Sequence, residues 1–188
     1  DNPHCVQLFT EVLENYLASS AQVMPSLEQL FEHDPVMPMA QLFRACLLKL
    51  AADPRFRVAI NQCFNTVSAR PDLNDRERRY LKALSLWQAD QMADAVAVFD
   101  DIVLDYPKDM LALRIAHYLH FYGTGGKQMM KSLQVALQHH ETDDRYYGFL
   151  KGMQSFALEE SGYYPEAEAA GLEALDINRK DIWAAHAV

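Results

Sequence analysis

His117 and His120 stand three residues apart, which on a helix puts two imidazoles on one face, and His139 or His140 could add a third nitrogen to a zinc site. The pair lacks the glutamate of H-E-x-x-H, and few donors converge on it. A packed or solvated histidine pair is therefore the simpler reading, and neither a metal nor a cofactor is assigned. His186 lies in the last helical segment, so a site using it would be completed by chain beyond this sequence.

The run Gly123-Thr-Gly-Gly-Lys127 invites comparison with a phosphate loop, but Gln128 follows the lysine where Ser or Thr is needed and Phe121 replaces the first glycine. It reads as an inter-helix turn. The carboxylate pairs Glu159-Glu160 and Asp100-Asp101 are sequence neighbours, which do not face one another on a helix, so no acid and base dyad is expected. Cys46 and Cys63 sit among apolar residues as small core fillers. Arg76, Arg78 and Arg79 crowd the first turn of a helix, against its dipole, and predict a surface ion-pair network with acids on a neighbouring helix; docking of an acidic partner is the alternative.

The elements that must position these groups are set by a composition of 188 residues, 50% apolar and 23% charged, with 7 Gly and 8 Pro, which suits a globular core. A net charge of -9 repels phosphate and disfavours nucleic-acid binding. The charge is uneven: no Lys or Arg precedes Arg44, whereas Arg44 to Lys82 holds nine bases against four acids. That band is either a solvated face or a positive strip. Three cysteines without C-x-x-C give no disulfide framework, so reduced thiols and a cytoplasmic location are expected. No apolar run approaches the ~18 residues of a membrane span, and no membrane partner is predicted. The start at Asp1 rather than Met is read as a processed or excised piece.

Strand signals are nearly absent, and apolar residues recur three and four apart. Helices are predicted from Pro3 to Ala18, Ala21 to Glu32, Met39 to Ala51, Pro54 to Ser68, Asp75 to Gln88, Met92 to Asp105, Met110 to Tyr122, Lys127 to His139, Arg145 to Ser161, Pro165 to Ile177 and Asp181 onward. Breakers separate them, among them Asp53-Pro54, Tyr106-Pro107 and Gly162. Two segments then superimpose, Ala89 to Pro107 and Ser161 to Arg179, 72 residues apart, about two ~34-residue units plus a small insertion. Ala95 and Ala167 supply the small residue that lets paired helices approach, and Gly162 the tight turn. Both follow the second half of a tetratricopeptide repeat. Asp90 stands where the turn glycine is usual, Gly171 replaces a bulky residue, and Arg179 replaces proline. Met110 to Thr142 is a degenerate middle repeat, and the first seventy residues are helical pairs without a readable signature.

The run LNDRERRYLKALSLWQADQMADAVAVFDDIVLDYPKDMLALRIAHYLHFY, with YGFLKGMQSFALEESGYYPEAEAAGLEALDINRKDIWAAHAV, resembles the N-terminal half of the tetratricopeptide repeat protein 38 family, which has bacterial members. The resemblance implies an α-helical repeat protein and carries no catalytic residues to transfer. The expected fold is all-α, an α-α superhelix of about ten to eleven short antiparallel helices in one domain over 1–188, with 1–70 divergent pairs and 75–188 repeats of which the last is incomplete.

If each repeat opens near Arg76, Asp109 and Gly148, its first helix lines a concave side with Tyr80, Leu84, Trp87, Arg114, His117, His120, Phe121, Phe149, Met153 and Phe156. An aromatic stripe at that spacing is also what interhelical packing uses. Seven of nine tyrosines lie between Tyr106 and Tyr164, which favours some of them being exposed. The leading functional expectation is a non-enzymatic scaffold binding a peptide or protein. The alternative is an enzyme or biosynthetic accessory whose site a missing C-terminal half completes. Trp183, in a last helix without a cap, is expected to pack back on the preceding pair or to support self-association.

Overall fold

The computed structural model describes residues 2–188. Among them are eleven α-helices and no strand: α1 (Pro3–Leu17), α2 (Val23–His33), α3 (Pro38–Leu50), α4 (Arg57–Ser68), α5 (Asp75–Gln88), α6 (Met92–Asp105), α7 (Met110–Gly123), α8 (Gly126–Leu137), α9 (Tyr147–Glu159), α10 (Tyr164–Ile177) and α11 (Ile182–His186). Each of the eleven helices read from periodicity is present, with ends moved by a few residues. The helix expected at Pro54 begins as a 3-10 turn over Pro54–Phe56, because Asp53 folds back to accept from the Arg55 amide at 2.9 Å.

The starts are written in local chemistry. Asn74 and Glu77 form a reciprocal capping box on α5, each side chain accepting from the other residue's backbone amide at 2.9 Å. Asp109 accepts from the Ala112 amide at 3.0 Å to open α7, and Asp181 accepts from the Trp183 amide at 3.0 Å to open α11. Pro38 and Pro165 occupy the first turns of α3 and α10, where a missing N–H costs nothing.

Two compact units emerge. One gathers the residues up to Tyr16 with Ala21–Val98, and in it α3 packs against α2, α4 and α5 around Phe43, Leu42, Cys46 and Ile60. The other gathers Leu17–Ser20 and Phe99–Val188, and in it α9 packs against α8, α10 and α11.

A strict internal register runs through the second half of the chain. Helices α5, α6 and α7 begin at Asp75, Met92 and Met110, and α9, α10 and α11 begin at Tyr147, Tyr164 and Ile182, each 72 residues later. The caps Asp109 and Asp181 keep the same offset, and so do the fully buried Ala95 and Ala167. The turn before α6 is left-handed at Asp90 (φ 59°) and the turn before α10 at Gly162 (φ 81°), so the aspartate takes up the conformation that glycine adopts freely. Gly171, where α6 has the buried Phe99, makes room for its own neighbours: a Cβ there would meet Val188 Cγ2 at 2.6 Å and Ser155 Oγ at 2.8 Å.

Candidate functional site

The histidines singled out by sequence go to different places. His120 is buried and its two nitrogens are both engaged: Nε2 lies 3.0 and 3.1 Å from the Asp100 carboxylate oxygens, and Nδ1 lies 2.7 Å from Thr124 Oγ1. The Ser132 hydroxyl donates to the same carboxylate. One acid from α6 thereby ties α7 to α8. The three residue types are those of a nucleophilic triad, but the order is wrong, since the serine proton points at the acid rather than at the imidazole. The arrangement is a structural clamp.

His117, one turn earlier, is closed inside an aromatic cluster, its ring 5.9 Å from Phe156 and 6.3 Å from Trp183 between centroids. Neither ring nitrogen has a hydrogen-bond partner. Burial first, then the charges of Arg114 and His120, hold it well below the ordinary histidine range, so it is a neutral imidazole. His140 is equally buried, with Nδ1 3.1 Å from Asp144 Oδ2, while Lys108 Nζ stands 3.7 Å from the same oxygen. Burial works against the Asp144 charge, yet the Tyr146 amide, His140 and Lys108 together bring its pKa below the usual value. His139 is exposed on its own helix turn, Nδ1 2.8 Å from the Val135 carbonyl. Among the described residues no group of three or more His, Cys, Asp or Glu side chains is placed to hold a metal.

Trp183 packs back as expected. Its ring meets Phe156 at 4.5 Å and Tyr118 at 5.1 Å, both edge-on, and the Arg114 guanidinium lies 4.5 Å from its centroid. Asp181, buried beside Gly152, has its pKa raised by desolvation, against the amides of Trp183 and Ala184 and the charge of Arg114.

The residues expected to line a groove are largely interior. Tyr80, Leu84, Trp87, Arg114, His117, His120, Met153 and Phe156 are all buried, with Trp87 the most accessible at 8%. Only Phe121 and Phe149 are half-buried. The physical reason for this correction is that the same three-and-four spacing that would line a cleft also meets the next helix, and here the next helix is there. Several tyrosines do stand in solvent: Tyr122 is 67% exposed, Tyr163 51% and Tyr164 65%. Their turns adjoin, because buried Gly126 lies against Ser161 and the Ala157 carbonyl so closely that a Cβ would overlap the serine hydroxyl.

That contact also explains the glycine run. Gly125 takes φ 85° to start α8, the Thr124 and Gly125 amides donate to the His120 carbonyl at 2.8 and 2.7 Å, and Gly126 is pressed on α9. The glycines serve chain reversal and close packing.

Several basic residues between Arg44 and Lys82 find acids nearby in sequence, while Lys49 on α3 reaches Asp90 after α5 at 3.9 Å. Arg55 pairs with Asp53, Arg70 with Asp72, and Arg79 with Asp75 at 2.9 Å along its own helix. Hydrogen bonds from Arg70 lower Asp72 to about 2. Arg78 donates to the Leu73 carbonyl. At the end of α9 the pKa of Glu160 is raised by burial, then by the neighbouring charge of Glu159 and a hydrogen bond with it. The three cysteines are buried and none is in a disulfide, and burial pushes the Cys63 thiol up.

The Asp100 clamp, the Arg114 and Trp183 stack and an edge-on pair of His4 with His33 at 4.7 Å were not found from sequence. All join residues that only tertiary packing brings together. No protein-family model matches the chain, and no solved structure matches it significantly.

No helix among the described residues is long and apolar enough to cross a membrane.

Proposed function

We propose that the chain is a non-enzymatic helical-repeat interaction module that binds a peptide or protein partner. The reading rests on the tetratricopeptide-like pattern of the sequence and its resemblance to the tetratricopeptide repeat protein 38 family, with a cytoplasmic setting expected from the cysteines. The 72-residue register of helix starts and caps supports a repeat architecture.

The observation that carries the binding surface is the edge formed by Tyr122 at the end of α7 and Tyr163 and Tyr164 at the start of α10, three exposed tyrosines on either side of the contact of Gly126 with Ser161. Tyrosine offers a broad apolar face and a hydroxyl at low entropic cost, which is why it is enriched at interfaces. The edge takes the place of the buried stripe as the contact surface. Net charge -9 argues against a nucleic-acid partner.

Panning a displayed random-peptide library on the immobilised chain tests the reading. Enriched peptides are expected to bind at least tenfold more weakly to a Tyr122→Ser, Tyr163→Ser, Tyr164→Ser variant of unchanged helicity. Absence of enrichment, or peptides indifferent to the three substitutions, would sink it.

A further inference from the structure

His4, on the first turn of α1, and His33, the last residue of α2, stand 29 positions apart in sequence, yet their rings meet edge-on with centroids 4.7 Å apart and planes at 86°. Both residues are exposed. The two helices form a hairpin within the first unit, tied near its closed end by Asn15 Nδ2 donating to Ser26 Oγ at 2.9 Å. The histidine pair sits at its open end. Nothing about apolar packing asks for two imidazoles there, since neither is buried.

From this placement we infer that His4 and His33 form a two-nitrogen chelate for a borderline divalent ion, Cu2+ foremost. With metal–nitrogen bonds of ~2.0–2.1 Å, two imidazoles sharing one ion at an angle between square-planar and tetrahedral keep their ring centres about 4.5–5 Å apart. The observed separation of 4.7 Å falls in that window, so the two rings already stand at a spacing that one shared ion allows. Solvent exposure leaves room for water to complete the coordination sphere, and it lets the rings turn freely. Two protein donors make a site of modest affinity, for which the order of divalent-ion stability favours Cu2+ over Ni2+ and Zn2+. Because the ligands come from two helices, the ion would staple the open end of the hairpin.

The test is titration of the whole chain with Cu2+ alone, followed by electron paramagnetic resonance with pulsed detection of coordinated imidazoles. The wild type is expected to take up one equivalent ahead of any weaker binding, with two imidazoles on the ion. His4→Ala and His33→Ala are each expected to bind at least tenfold more weakly, with a single-imidazole signature. Both positions are exposed at helix ends, so circular dichroism should be unchanged; His33→Gln provides a second, helix-compatible variant. Wild-type affinity persisting in His33→Ala would mean that His4 and backbone groups near it suffice, and the inference fails. It fails equally if the ion spreads over the other exposed histidines, His139 and His186, giving weak binding that neither variant changes.

Discussion

Asp90 and Gly162 close the same turn 72 residues apart: each has a left-handed backbone, and in each the next residue's amide donates at 2.9 Å to the carbonyl of a leucine, Leu86 in one copy and Leu158 in the other. No atom stands within 4 Å of a Cβ added at Gly162, so a substitution there feels backbone conformation alone. Gly162→Val is expected to cost about 2 kcal/mol, since a β-branched residue is disfavoured at positive φ. Asp90→Gly should stay within about 0.5 kcal/mol of the wild type, relief of strain offsetting the extra freedom of the unfolded chain. Its 3.9 Å contact with Lys49 leaves the Asp90 side chain 95% exposed and adds nothing to the comparison. Urea denaturation midpoints decide the matter; equal losses at both positions would mean the turns are not equivalent.

Neutral, buried His117 makes stability sensitive to acid. Its pKa is depressed in the folded chain, so below the unfolded value near 6.5 the unfolded state binds a proton that the folded state refuses. Stability is complete above that pH and falls as pH drops, with a slope approaching about 1.4 kcal/mol per pH unit from this residue. His117→Phe should remove that part of the slope and leave the protein more stable than wild type at pH 5. Parallel denaturation curves from pH 7.5 to 5, identical for the two proteins, would contradict the assignment.

At Gly126 the constraint is space. An added methyl would stand 2.8 Å from the Ala157 carbonyl oxygen and 3.0 Å from the Glu160 carbonyl carbon, both backbone atoms that cannot rotate away. Gly126→Ala should therefore cost about 1–3 kcal/mol despite alanine's better helix propensity. A stabilised variant in thermal melting would show that α8 and α9 do not approach as described.

Removing the Asp100 carboxylate strands two buried partners at once. Asp100→Ala is expected to cost about 2 kcal/mol or more, whereas Ser132→Ala should cost about 1. Because His120 and Ser132 share one acceptor, the double variant should lose less than the two single losses added together. Strict additivity in a double-mutant cycle would mean the hydroxyl and the carboxylate do not interact.

Helix positions were readable in sequence because their determinants are local: Asn74 with Glu77, Asp109, Asp181, Pro38, and the three-and-four spacing of apolar residues. The packing role of Ala95 and Ala167 and the tight turn at Gly162 were legible for the same reason. Periodicity could not say which side of a helix meets a neighbour and which meets solvent, so the stripe with Tyr80, Trp87 and Phe156 read equally as groove lining or as packing, and all three are buried. Asp100 sits 20 residues from His120, and His4 sits 29 from His33; no spacing rule spans such distances. The glycine run ending at Gly126 was read only as an inter-helix turn, because sequence does not reveal what presses against it.

Pairing between helices that adjoin in the chain has a kinetic consequence. Contacts such as α3 on α4, α7 on α8 and α9 on α10 close loops of only a few residues, so little of the chain's freedom must be surrendered before the first rewards arrive. Each helical pair is a local search problem that can be solved beside, rather than after, the others. The chain should thus collapse on the microsecond-to-millisecond scale typical of low contact order. Lengthening an inter-helix turn by several glycines should slow refolding only slightly, a tolerance that proteins built on distant strand pairings do not share.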